Sequence, residues 1–212
     1  YPFGRGGFEV SKLEEATAKR YLPAAELSKL KSATANNPQC EYARKLFLFS
    51  YYCYGISFID MAMLTAAHIK QMEDGDYIVY KRQKIKRQKG VKPISIKITP
   101  AIRQLIESLQ AASPTVDDFL LPVVTRSGYT GERLYMHIRT RYSKYQKYLR
   151  LLAEELGIDF HLTSYVSRHT AAMTLQRNNI PREVISQMLG HADLETTNVY
   201  LDSFDNGVIN EA

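Results

Sequence analysis

The 212-residue chain reads as a mainly α-helical domain carrying a small antiparallel β-sheet (α+β), and three observations predict that class. Apolar and aromatic residues recur at helical spacing from Glu132 to Leu156, and helices follow over Thr163 to Arg177, Pro181 to Leu189 and Asp193 to about Asp202. Helix-opening signals stand where segments begin: Thr99-Pro100 pairs a capping hydroxyl with a first-turn proline, and Ser57-Phe58-Ile59-Asp60 sets a hydroxyl three residues ahead of a carboxylate. Strand composition is confined to YIVYKRQ and VKPISIKI, which flank the basic tip IKRQKG as a hairpin would.

Each element follows in order. Residues 1–21 begin glycine- and aromatic-rich and form a linker or entry segment. Leu22-Pro23 opens a short helix, AAELSKLKSA, which Asn36-Asn37-Pro38 breaks. A long apolar helix runs from about Gln39 to Tyr54 and stops at Gly55, after which a second, short helix begins at Ser57. Asp74-Gly75-Asp76 is the turn before the hairpin, and AIRQLIESLQ is the helix opened by Thr99-Pro100. SPTVDDFLLPVVTRSGYTG is a loop, and Gly157 closes the helix that follows it. Residues 22–203 are thus expected to form one domain, with 204–212 a tail too short to be another.

Composition narrows the function classes. An apolar content of 45% supports a real core. Lys and Arg outnumber Asp and Glu by 28 to 22, a net +6 that by itself says little. Its distribution says more, because Lys81 to Lys97 holds eight cations and no acid, the pattern of a polyanion contact. Cys40 and Cys53 lack metal-ligand spacing and read as buried free thiols of a reducing compartment. No apolar run approaches the roughly 20 residues of a membrane span, and no secretory apolar segment opens the sequence.

The stretch from Ser164 to Leu201 organises the rest. Arg168, His169, His191 and Tyr200 lie in it at spacings that packing explains poorly. A guanidinium is a planar fork that grips two phosphate oxygens without losing its charge. A phenol, with a pKa of about 10, is a weak nucleophile until a phosphate is aligned and its proton can leave. Together these groups suit attack of a tyrosine oxygen on a phosphodiester. With 15 tyrosines in the chain an isolated one would carry little weight, so the pattern around Tyr200 matters.

That pattern is Leu189-Gly190-His191, four residues, Thr196-Thr197, two residues, Tyr200, with Arg168-His169-Thr170 upstream. In it the chain resembles the catalytic domain of tyrosine recombinases of the phage-integrase type, over about Leu22 to Tyr200. The resemblance implies Tyr200 as nucleophile forming a covalent 3′-phosphotyrosine, Arg168 as phosphate clamp, His191 as a phosphate hydrogen-bond donor, and His169 orienting the site from below or playing a structural part. It also implies a hairpin lysine that protonates the departing 5′ oxygen. Lys84 is the best match, at the end of the first strand, with Lys81, Lys86 and Lys89 as competitors and Lys81, Lys86, Arg87 and Lys89 as DNA-backbone contacts. No metal and no cofactor are implied, since the phosphodiester energy is kept in the tyrosyl ester.

Two departures stand out. Ser57 occupies the place of the family's first catalytic arginine, and Tyr165 that of a common histidine. Arg82 is the expected substitute for the arginine, because two-residue spacing in a strand would put it on one face with Lys84. Arg44 is the second candidate, and Asp60 matches an acidic position that buttresses an arginine or caps a helix. The missing arginine resembles conjugative-transposon integrases. The implied partners are double-stranded DNA and, for the full-length protein, three further copies in a tetramer. A core-DNA-binding domain would precede Tyr1. The implied location is the bacterial cytoplasm, at the nucleoid. Two alternatives use the same fold: a DNA-binding module that has lost catalysis, and a type IB topoisomerase-like enzyme.

Overall fold

Asn37 opens the helix around which the core assembles. Its side-chain oxygen accepts hydrogen bonds from the Gln39 and Cys40 amides, and Pro38 occupies the first turn, where no backbone N–H needs a partner. In the computed structural model, which describes residues 21–86, 91–191 and 193–209, with side chains through Asp202, this helix is α2 (Pro38–Tyr52). Before it comes α1 (Ala24–Ser32); after it come α3 (Phe58–Ala62), a 3₁₀ turn at Ala66–His68, and strands β1 (Ile69–Met72), β2 (Gly75–Tyr80) and β3 (Ile94–Lys97). The remaining elements are α4 (Pro100–Ala112), α5 (Gly131–Glu155), α6 (Ser164–Arg177), α7 (Arg182–Leu189) and α8 (Leu194–Ile209).

The predicted class holds: a helical body with one three-stranded antiparallel sheet, ordered β1-β2-β3. The hairpin register pairs Ile78 with Ile96 and Tyr80 with Ile94, so alternation buries all four on the core face while Ser95 and Lys97 face outward. α2 packs against α4, α5 and α6, burying Leu46, Phe47 and Phe49 completely. Thr99 caps α4 as expected, its hydroxyl accepting from the Ile102 amide. Cys40 and Cys53 are buried free thiols.

Three expectations need correction. β1 has no counterpart in the sequence reading: IKQM is too short and polar to announce itself, and only pairing with β2 defines it. β2 ends at Tyr80, so Arg82 and Lys84 are not strand residues sharing a face. The buried Asp60 carboxylate accepts the Gln83 amide at 2.7 Å, which turns the chain out of the ladder. Finally, α8 continues past its expected end near Asp202 to Ile209. Arg87 and Lys89 lie outside the described residues.

α7 and α8 form a smaller unit at one end. Ala172 of α6, Ile185, Leu189 and Leu201 make its buried cluster, separate from the main core. Pro181 precedes α7, and Gly190 ends it in the left-handed conformation, φ 63°. A Cβ there would run into Ile94 and Arg82, so glycine is required by both backbone and space.

Candidate active site

Arg168 is on the first half of α6, 8% exposed, held from two directions. Its Nη1 donates to the Gly55 carbonyl at 3.0 Å and its Nη2 to the Leu189 carbonyl at 2.5 Å. The guanidinium therefore bridges the end of the α2 segment and the end of α7. Gly55, at φ 74°, must be glycine for this: a Cβ would sit 2.5 Å from the Arg168 Cα. Burial is the main cause that lowers the Arg168 pKa, and the nearby Arg82 adds to it. Concentrated positive charge in a poorly solvated place awaits an anion.

His191 follows Gly190, its backbone amide bonded to the Ser186 carbonyl. Its Nε2 lies 3.2 Å from Arg168 Nη2 and its Nδ1 2.7 Å from Thr197 Oγ1. A guanidinium only donates, so Nε2 is the acceptor here, and Nδ1 carries the proton that Thr197 receives. Thr197 is fully buried. The second threonine of the Thr-Thr pair, whose role is invisible in the sequence, thus aims the imidazole. Asp193 caps α8 by accepting from the Thr196 amide at 2.6 Å, which fixes where the helix bearing Tyr200 begins.

Tyr200 lies between two imidazoles. The His191 ring meets it edge-on, with centroids 5.6 Å apart, and the His169 ring lies 5.3 Å away. His169 Nδ1 and the Tyr200 hydroxyl are hydrogen-bonded. His169 is therefore in direct contact with the phenol, where it can orient the ring. Burial pushes the Tyr200 pKa above its ordinary value, partly countered by Arg168. The hydroxyl is therefore held as the neutral phenol near neutrality, in hydrogen-bond contact with an imidazole that can exchange a proton with it.

Arg82 reaches the same place by an unexpected route. Its Nη1 donates to the Gly190 carbonyl at 3.2 Å, and it lines a cavity with Ser57, Tyr165 and Arg168. What positions it is not a strand but a short polar chain. The Ser57 hydroxyl donates to Asp60 Oδ2 at 2.6 Å and caps α3, while Asp60 Oδ1 takes the Gln83 amide. Asp60 is 3% exposed and bonds no arginine among the described residues; it fixes the turn carrying Arg82 and Lys84. Only the tertiary contact with residue 83 reveals that use.

Other sequence candidates fall outside the cluster. Lys84 lies in the turn Gln83–Lys86, with Lys86 exposed beside it, and Lys81 is exposed just after β2. Arg44 is excluded as a substitute clamp, because it makes a two-pronged ion pair with Glu41 and donates to the Leu30 carbonyl, tying α1 to α2. Tyr165 stands 64% exposed beside His169, ring centroids 6.2 Å apart.

A buried guanidinium, an oriented imidazole and a tyrosine hydroxyl in contact with a second imidazole thus come together on a helical body with a small sheet. That is the architecture of tyrosine recombinase catalytic domains. The chain belongs to the phage integrase family, whose model matches residues 20–206. Among curated relatives, tyrosine recombinase XerD of Halalkalibacterium halodurans is 41% identical over 54 residues, covering 26% of this chain and 18% of that protein. XerD of Brucella abortus is 30% identical over 121 residues, covering 54% of this chain and 36% of the relative. The matched segments thus span less than a fifth of the one relative's length and little more than a third of the other's. The crystal structure of XerA recombinase superposes with a TM-score of 0.60 at 22% identity, covering 89% of this chain and 62% of that one. The Tn1549 transposon integrase in complex with a circular intermediate DNA gives 0.63 at 12% identity, covering 97% and 70%. Among the described residues no helix is long and apolar enough to cross a membrane.

Proposed function

We propose that residues 22–203 are the catalytic domain of a site-specific DNA recombinase, the integrase of a mobile element, which cuts and rejoins strands through a 3′-phosphotyrosine. The observation that carries this reading is the contact chain Arg168–His191–Tyr200–His169, which sets a phosphate clamp and a nucleophile with a proton acceptor side by side. In the step proposed, the Tyr200 oxygen attacks phosphorus and its proton passes to His169 Nδ1. The bond from phosphorus to the 5′ oxygen breaks, and Lys84 gives that oxygen a proton. Arg168 and Arg82 carry the charge that grows on the non-bridging oxygens, joined by His191 once its Nε2 takes up a proton and turns from acceptor to donor. Attack by a 5′ hydroxyl of another strand reverses the sequence and releases Tyr200. The ester conserves the phosphodiester energy, so no nucleotide is consumed.

Mobile-element integration is favoured by the likeness to the Tn1549 transposon integrase and by Ser57 standing in for an arginine, with Arg82 as the second guanidinium. In the full-length protein a DNA-binding domain preceding Tyr1 would close the clamp, and four copies would exchange strands between two duplexes through a Holliday junction. The test is incubation of the full-length protein with nicked suicide DNA. A protein–DNA adduct that survives denaturation and vanishes in Tyr200→Phe is expected. DNA binding without any adduct would move the protein to a non-catalytic module, and supercoil relaxation without two-site recombination to a topoisomerase.

A further inference from the structure

Beside Arg168 opens a cavity of about 330 Å³; Arg82 and Arg168 at one side belong to the reaction above, while the wall formed by Phe58, Ile138 and Tyr142 has no part in it. Ser57 at the start of α3 and Ile138 and Tyr142 of α5 face each other across it. Its walls are largely apolar and aromatic, from Phe58, Ile138 and Tyr142, and Tyr135 and Tyr165 at the opening are 58% and 64% exposed. Two large tyrosines held this far into solvent, beside an aromatic recess, are costly without something to cover them. Arg82, Arg139 and Arg168 complete the lining, which contains no carboxylate. The Arg139 side chain has no hydrogen bond or ion pair among the described residues. Polar edges are present too, since Ser164 Oγ lies 3.0 Å from the Tyr142 hydroxyl.

We infer that this cavity takes one unstacked nucleobase of the DNA, next to the phosphate held by Arg168; the inference rests on the recombinase reading. The volume is at the lower end of small-ligand sites, suited to a single planar ring system. Aromatic faces and guanidinium planes are what an extruded base stacks on, and the hydroxyls supply edge contacts. The three guanidiniums suit the phosphates on either side of such a base and offer planes for stacking, which an apolar side chain from a second copy would leave unmatched. A base leaving the stack also loosens the duplex at the cut, which strand exchange requires.

The test compares binding of the full-length protein to two DNA duplexes, one fully paired and one with a single extrahelical 2-aminopurine. The bulged duplex is expected to bind roughly tenfold more tightly, with the 2-aminopurine emission quenched by stacking. Tyr135→Ala should bring the affinity ratio close to one and restore emission. Met136→Ala, on the adjacent exposed position outside the cavity, should leave the ratio unchanged. Equal affinities with unquenched emission, or a ratio untouched by Tyr135→Ala, would overturn the assignment, as would self-association that shields Tyr135 without DNA. The phosphotyrosine adduct is measured on the same preparations. An adduct without bulge preference removes only the base pocket, whereas bulge preference without an adduct removes the recombinase reading and leaves the pocket standing.

Discussion

Arg168 and Tyr200 would act on the same phosphate, yet they are held in different ways. Arg168 belongs to α6, which packs on α2, and its guanidinium is tied to Gly55 and Leu189. Ser50 and Ser167 reinforce that seat with a buried hydrogen bond of 2.8 Å between α2 and α6. Tyr200 belongs to α8, which among the described residues packs on a cluster of four buried side chains, Leu201 its own, and is tied further by Thr197 to His191 and by Asn198 and Asp202 to Arg182. Burial of so few apolar groups stabilises a helix only modestly. Arg168 is thus part of the main body, and Tyr200 is on an element packed on a smaller cluster, expected to open at a lower free-energy cost.

Arg168→Ala is expected to have the largest effect, because it removes the clamp and leaves the Gly55 and Leu189 carbonyls unpaired. Cleavage of a suicide substrate should fall by about 10³-fold, and thermal unfolding should also move down; retained stability would show the body does not depend on this residue. Arg82→Ala should cost about 10²–10³ in cleavage with little change in melting, whereas Arg44→Ala should lower the melting temperature and spare chemistry in the folded fraction. Asp60→Ala sharpens the distinction further. Losing the Gln83 tether should reduce cleavage by about 10- to 100-fold through misplacement of the turn, and the loss should not add to that of Arg82→Ala in the double variant. On the other side of the comparison, Leu201→Ala should weaken the docking of α8 by about 2–5 kcal/mol. Hydrogen exchange should then speed up in α8 while α2 stays protected; uniform acceleration would show that the two regions unfold as one.

The smallest effect concerns pH. Burial, with Arg141, Arg126 and Lys144 nearby, holds His137 on α5 below the ordinary histidine value. The unfolded chain therefore takes up the proton first. Stability should be unaffected above about pH 6.5 and decline slightly as pH falls below it. His137→Gln should flatten that decline in melting curves, and an unchanged slope would assign it to other groups.

Much of the site was legible because the chemistry is local. Gly190 is confined to its place by a left-handed backbone, His191 follows it, and Thr197 and Tyr200 come at helical intervals on the next element, so a short stretch carries the nucleophile's whole setting. Arg82 was legible as a candidate but for the wrong reason, since strand periodicity says nothing about a carboxylate 23 residues upstream of Gln83 that ends the strand. His169 was undervalued because its contact with Tyr200 spans two helices. The strand β1 was missed because short polar strands take their definition from a neighbour.

The sequence by itself determined the helical class, the caps and turns, and which residue types could handle a phosphodiester, because each of these depends on chemistry within a few residues. The tertiary structure alone decided that Asp60 serves a backbone amide rather than an arginine, that Arg44 is tied up between α1 and α2, and that a cavity opens beside Ser57 and Arg168. Those outcomes turn on which distant groups compete for one hydrogen bond or one volume, and packing of the whole chain settles that competition.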